Sequence, residues 1–190
     1  MNYRTLPPGC RLVRTLDFSR SRRQMLTIAR LGLALLLVPL AAALSLCPPR
    51  PSVRGFIETW PLWAAMLGMQ VLYIPLHELT HGLSMLLLSG MRPSYGIRLP
   101  YAWCGSDVWF DRRSHVITAL APLTVWGLVF HFLILRLPGQ WFWPVFLVQL
   151  SNLSGSAGDI YSAWLLMHMD GELLIQDTGT RMRVMRLIQR

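Results

Sequence analysis

Residues 59 to 91 read TWPLWAAMLGMQVLYIPLHELTHGLSMLLLSGM, and this stretch decides the fold class. Its one formal charge is Glu78. A bilayer core demands roughly 20 predominantly apolar residues per spanning helix, and the run exceeds that length. Thr59 is a candidate N-cap with Pro61 in the first turn, and Gly90 is a candidate C-terminal stop. A helix from Thr59 to Ser89 is roughly 43 Å long at 1.5 Å per residue, more than the hydrocarbon thickness. It must therefore tilt, kink or protrude, and Pro75, which lacks an N–H, is the expected kink.

Three further runs share the character of this one. Residues 27 to 47 carry only Arg30, residues 116 to 135 carry no charge, and residues 137 to 169 carry only Asp159. Charged residues make up 14% of the whole chain, against about 25% in ordinary soluble domains. The expectation is an all-α membrane protein with about four transmembrane helices and a small cytoplasmic β-hairpin element. The spans lie at about 27–47, 59–89, 116–137 and 141–169, with Pro48 and Pro49 stopping the first and Pro138-Gly139 parting the last two. Three regions follow: a basic cytoplasmic arm at 1–26, a transmembrane metalloprotease-like domain at 27–169 and a cytoplasmic tail at 170–190. The aromatic loop at 91–115 suggests strands at about 94–99 and 107–111, linked through Gly105. The tail reads either as a hairpin turning at Asp177 to Thr180 or as a basic amphipathic helix over 181–190 lying on anionic lipid.

The net charge of +9 comes from arginine alone, since there is no lysine. Seven arginines precede or open the first run (Arg4, Arg11, Arg14, Arg20, Arg22, Arg23, Arg30). Four lie between the second and third runs, and four close the tail. The remaining loops hold only Arg50, Arg54 and Arg136. This is the positive-inside asymmetry of an integral membrane protein with both termini in the cytoplasm. The same distribution argues against nucleic acid as a partner and for the lipid bilayer. Cys10, Cys47 and Cys104 form no CxxC pair and suggest no disulfide framework. The first apolar run is long for a signal peptide, which favours a retained helix.

The chemistry lies in HELTHG, His77 to Gly82. On a helix, His77 and His81 stand one turn apart on one face, and two imidazoles so placed bind one zinc ion. Glu78, beside the first ligand, is placed to accept a proton from a zinc-activated water as that water attacks a carbonyl. Glu78 then serves as general acid to the leaving amine. Ionisable groups inside a span are expensive and mark function by default. A catalytic zinc needs a third protein ligand and an open position. His77 and His81 lie roughly 12 to 18 Å from the cytoplasmic end of their helix, and Asp159 about 15 Å from the end of its own. His131 lies about 22 Å from that side by the same rise, in the outer half. Depth therefore selects Asp159. His115 and His168, near helix ends, read as interfacial. Asn152 opens the polar stretch NLSGSAGD. It is a possible substrate-binding residue, and an interhelical hydrogen bond is its other reading.

HELTHG followed by a glycine-preceded aspartate in a later span resembles the site-2 protease class of intramembrane zinc metalloproteases. More closely, the chain is similar to the zincin peptidase family of small bacterial membrane proteins, over about residues 60 to 180. The likeness includes HELTHG, the aromatic loop, Ala121-Pro122 and the stretch from Asn152 to Asp159. Asp159 sits in a GDI context, where the site-2 class has LDG. The resemblance implies peptide-bond hydrolysis with Zn2+ in a bacterial inner membrane. The expected partner is a membrane-embedded or membrane-proximal protein substrate, held extended by strand addition to residues 94–99. The alternative is a non-catalytic metal-binding membrane protein (a sensor, permease component or inactive scaffold). Only the peptidase needs Glu78 free of the metal. The oligomeric state is left open.

The arginine pattern predicts that reporter fusions at Ser106 and Gln189 report cytoplasm and one at Ser52 reports the outside. An outside signal from Ser106 with an inside signal from Gln189 contradicts the four-span order.

Overall fold

The computed structural model describes residues 2–16, 21–46, 52–98, 101–179 and 181–188. In chain order its elements begin with β1 (Cys10–Leu16), α1 (Arg22–Leu46), α2 (Val53–Glu58), α3 (Trp60–Ser89), β2 (Ser94–Arg98), β3 (Tyr101–Gly105) and β4 (Phe110–Asp111). They continue with α4 (Arg112–Arg136), α5 (Phe142–Gly155), α6 (Ala157–Met167), β5 (Leu173–Asp177) and β6 (Met182–Leu187). Most of the chain is helical, and α1, α3 and α4 are each long and apolar enough to cross a membrane.

Local chemistry explains the helix limits. Pro61 opens α3, where its missing N–H leaves nothing unpaired. Gly90 closes it in the left-handed region at φ 69°, with its N–H donating to the Leu86 carbonyl at 2.8 Å. Pro75 lies inside α3. Asp111 caps α4 by accepting from the Ser114 N–H at 2.8 Å. That cap starts α4 about one turn earlier than the hydropathy pattern alone suggests. The proline pair expected to end α1 lies outside the described residues, as do Leu99 and Thr180.

The fourth apolar run differs from its expectation. Instead of one helix over 141–169 it forms α5 and α6, broken at Ser156 (φ −77°, ψ 7°). Gly155 and Gly158 flank the break, and glycine inside a helix costs about 1 kcal/mol relative to alanine. α5 packs with α1, α3 and α4, and α6 packs with α1 and α4.

The β structure exceeds the single hairpin expected. A four-stranded antiparallel sheet has the order β1-β6-β5-β4, and β2 and β3 form a separate hairpin. The partner of β2 is therefore β3, in register from Ser94 opposite Gly105 to Ile97 opposite Ala102, and not the 107–111 segment. Phe110 and Asp111 pair with β5 instead. The tail adopts its hairpin reading and not the helical one, because Gly179 (φ 78°) makes the turn and Thr178 N–H donates to the Arg181 carbonyl at 3.0 Å. The basic arm supplies β1, which pairs with β6 from Cys10 opposite Leu187 to Leu16 opposite Met182. Leu16, Leu166, Leu173, Ile175, Met182 and Val184 form the core that seats this sheet on the ends of α4 and α6.

Leu16 is the arm's buried anchor in that core. Leu16→Ala should cost about 2 to 5 kcal/mol, read as a shifted urea midpoint of the detergent-solubilised protein. A loss below about 1 kcal/mol, typical of surface substitutions, would mean that β1 contributes little to the fold.

Candidate metal centre

His77 and His81 lie on one face of α3, with ring centroids 4.9 Å apart and planes at 80°. Asp159, in the first turn of α6, faces both. Its Oδ2 is 3.5 Å from His77 Nε2, and its Oδ1 is 3.6 Å from His81 Nε2. Among the described residues, these three offer one ligand atom each within 4.8 Å of one another. Ligand atoms around a tetrahedral zinc stand about 3.3 Å apart, by simple geometry from bonds near 2.05 Å. The two nitrogen-to-carboxylate distances are within a few tenths of an ångström of that figure.

The outer nitrogens of the two rings are also engaged. His81 Nδ1 lies 2.9 Å from the Thr118 carbonyl, which can only accept, so Nδ1 carries the hydrogen. His77 Nδ1 lies 2.8 Å from the Tyr73 hydroxyl, which itself donates to Asn152 Oδ1 at 2.8 Å. With its proton committed to Asn152, Tyr73 accepts from His77 Nδ1–H. Both rings then turn Nε2 lone pairs toward a carboxylate. Three converging acceptors fit a shared cation, and imidazole nitrogen with carboxylate oxygen is a donor set that zinc takes.

The cluster lines a cavity of about 310 Å³, at the low end of ligand-pocket sizes. Glu78 shares it from α3. The backbone N–H of Cys104 lies within hydrogen-bonding reach of the Glu78 carboxylate. The rest of the wall comes from β3, from the start of α4, from α6 and from the turn between β5 and β6. Cys104 lines the cavity too, with its thiol pushed up to about 12 by burial and its Sγ 4.0 Å from Met85 Sδ, and it is not one of the three clustered ligand atoms.

The other expected residues fall as follows. Asn152 is 0% exposed and lies behind the cavity wall. Its amide donates to the Leu123 carbonyl at 3.3 Å and to Gln149 Oε1 at 3.4 Å. Its contact with the centre runs through Tyr73. His131 is exposed on α4 and does not line the cavity. His168 is exposed, with Nδ1 2.8 Å from the Trp164 carbonyl. His115 differs from its interfacial reading. It is 2% exposed and lines the cavity, because the early start of α4 carries it inside. Tyr73 was also overlooked, although its place one helical turn before His77 was a usable signal.

A family model described as "Putative zincin peptidase" matches residues 70–173. No curated protein and no solved structure matches the chain.

The Tyr73 chain generates a measurable expectation. Tyr73→Phe removes the acceptor that fixes the His77 tautomer, so zinc affinity should fall about 10- to 100-fold in competition with a chelating dye. An unchanged affinity would show that His77 is oriented without Tyr73.

Proposed function

The chain belongs to the zincin peptidase family whose model covers residues 70–173, and on that premise we propose that it is a zinc-dependent endopeptidase working within or beside a membrane. The observation that carries this reading is the meeting of His77, His81 and Asp159 from two distant helices, with Glu78 beside them on an open cavity. His77, His81 and Asp159 would hold the metal. Zinc, when bound, supplies a Lewis acid that polarises a carbonyl and lowers the pKa of a water toward about 7.

Glu78 is the general base and then the general acid. As base it takes a proton from the attacking water. It passes that proton to the amine as the C–N bond breaks, so the products are a carboxylic acid and an amine. The Cys104 N–H holds the Glu78 carboxylate to one side of the cavity. Tyr73 and Thr118 keep the two imidazoles turned inward. Asn152 acts in this reading as a positioning residue that holds Tyr73.

We place the protein as an integral membrane protein of the bacterial inner membrane, with four crossings. α1, α3 and α4 make three of them. The pair α5–α6, 14 and 11 residues long, makes the fourth as two pieces joined at Ser156. The arginine pattern supports cytoplasmic termini, with the sheets on the same side. The partner is then a membrane-embedded or membrane-proximal protein, and the hairpin edge near residues 94–98 is a candidate rest for an extended strand.

A paired substitution tests the reading. Glu78→Gln should keep zinc at wild-type content and lose cleavage of a membrane-inserted reporter peptide by at least about 100-fold, the scale of a lost acid–base group. Asp159→Asn should lose zinc and cleavage together. Wild-type cleavage by Glu78→Gln removes the peptidase assignment of that residue. Zinc binding without cleavage in the wild type favours the sensor or scaffold alternative.

A further inference from the structure

Two polar side chains on α4 have no role in the chemistry described so far. His115 and Thr118 stand three residues apart, on one face of the helix. Each is 2% exposed, and each lines the cavity that holds Glu78 and the three acceptors. Both nitrogens of the His115 ring and the hydroxyl of Thr118 lack a hydrogen-bond partner among the described residues. Leaving such a group unsatisfied is destabilising, because it has given up water and gained nothing in return. Threonine in a helix has a ready alternative in the carbonyl four residues back. Thr80, Thr124 and Ser84 all take it, at 2.8 to 3.0 Å. Thr118 does not.

Resting on the peptidase reading above, we propose that His115 and Thr118 are the donors that receive the substrate carbonyl oxygen as it becomes an oxyanion. An imidazole presents at least one N–H in either protonation state, and a hydroxyl rotates to present its hydrogen. Both side chains stand on one turn of α4 before the substrate arrives. Their buried, unpartnered polar atoms turn into the cavity to meet the oxygen, in a site shielded from water where such donors are effective. The same helix turn holds His81 through the Thr118 carbonyl. The donors and the metal-facing imidazole are therefore positioned by one piece of backbone. No bond forms or breaks at either residue. They lower the energy of negative charge on oxygen while Glu78 moves the proton.

The test uses the full-length protein in detergent and a phosphinic tripeptide with leucine on both sides of the phosphinate. Its tetrahedral, anionic phosphorus group mimics the oxyanion. The variants are His115→Ala, His115→Gln and Thr118→Val. Thr118→Val keeps the backbone carbonyl that His81 uses. Zinc content, melting temperature and phosphinate affinity are read together. We expect zinc content to remain at the wild-type level in all three. Phosphinate affinity should fall about 100-fold or more in His115→Ala and about 10-fold in Thr118→Val. His115→Gln, which retains an N–H donor, should recover part of the loss. Any peptide that the wild type cleaves should show a matching fall in kcat, about 100- to 1,000-fold for a lost donor.

Phosphinate binding unchanged in His115→Ala and Thr118→Val, with wild-type binding dependent on zinc, overturns this assignment and leaves the peptidase reading standing. Zinc lost from His115→Ala and not regained in His115→Gln also overturns it, by making His115 a ligand or a structural group. Wild-type protein that holds zinc yet shows no zinc-dependent phosphinate binding counts against the peptidase reading itself.

Discussion

A carboxylate among apolar helices needs a positive partner, and His77, His81 and Asp159 are placed so that they could share one cation. On the most lenient insertion scale an acidic group at the centre of a span costs about 2.5 to 3.5 kcal/mol. Asp159 meets two imidazoles at 3.5 and 3.6 Å. α5 packs on α3, and α6 packs on α4 and α1, so Asp159 meets α3 through its side chain from the first turn of α6. The break at Ser156 divides the last stretch into these two short helices. A straight helix through 142–167 would fix Asp159 by the path of the residues before it.

A second layer then fixes which nitrogen each imidazole presents. Without it, either ring nitrogen could turn inward. The Thr118 carbonyl and the Tyr73 hydroxyl commit both Nδ1 atoms, and Asn152 commits Tyr73. The chain ends in a fully buried amide with all of its stronger hydrogen-bonding capacity used. Such a network is costly if half satisfied and rigidifying if complete. Asn152 sits in the most polar stretch of the fourth run for this reason. Its polarity serves the rings at a distance, and direct contact with the cavity is unnecessary.

Much of this was readable from the residues alone, for identifiable reasons. HELTHG carries its geometry in its spacing, because helical periodicity turns four residues into one face. Depth arithmetic found Asp159 because rise per residue is nearly constant across helices. The features that escaped were those set by contacts distant in sequence. Cys10 pairs with Leu187, and nothing local in CRLVRTL announces a partner so far along the chain. The arginines of that segment suggested a solvated arm, yet Leu16 alone is enough to anchor it in the core under the sheet. β2 paired with Tyr101–Gly105 and not with the segment around Phe110, because β5 competes for that segment and wins it. His115 was misjudged by one helical turn. Asp111, the cap that settles where α4 begins, was visible in the sequence but not weighed.

The shape of the cavity constrains what can react there. An α-helix with its side chains is about 10 to 12 Å across, and a space of about 310 Å³ does not admit one. A peptide reaching the metal centre must therefore be extended, and an extended backbone bears unpaired N–H and C=O groups. In a hydrocarbon setting each such group costs several kcal/mol unless the protein pairs it. Part of the cavity wall is made of strand β3 and the turn between β5 and β6. This is the one kind of surface that offers backbone partners to an extended chain. That wall is held in place at two points where only glycine fits. At Gly82 a Cβ would overlap the Tyr95 hydroxyl, and at Gly179 it would overlap the Trp103 ring. Gly82 belongs to HELTHG itself, so the motif that supplies the imidazoles also admits the hairpin that covers them. A side chain at position 82 would lift the hairpin from α3, and one at position 179 would part the β5–β6 turn from β3. Either change would disturb the strand and turn backbone beside His77, His81 and Asp159.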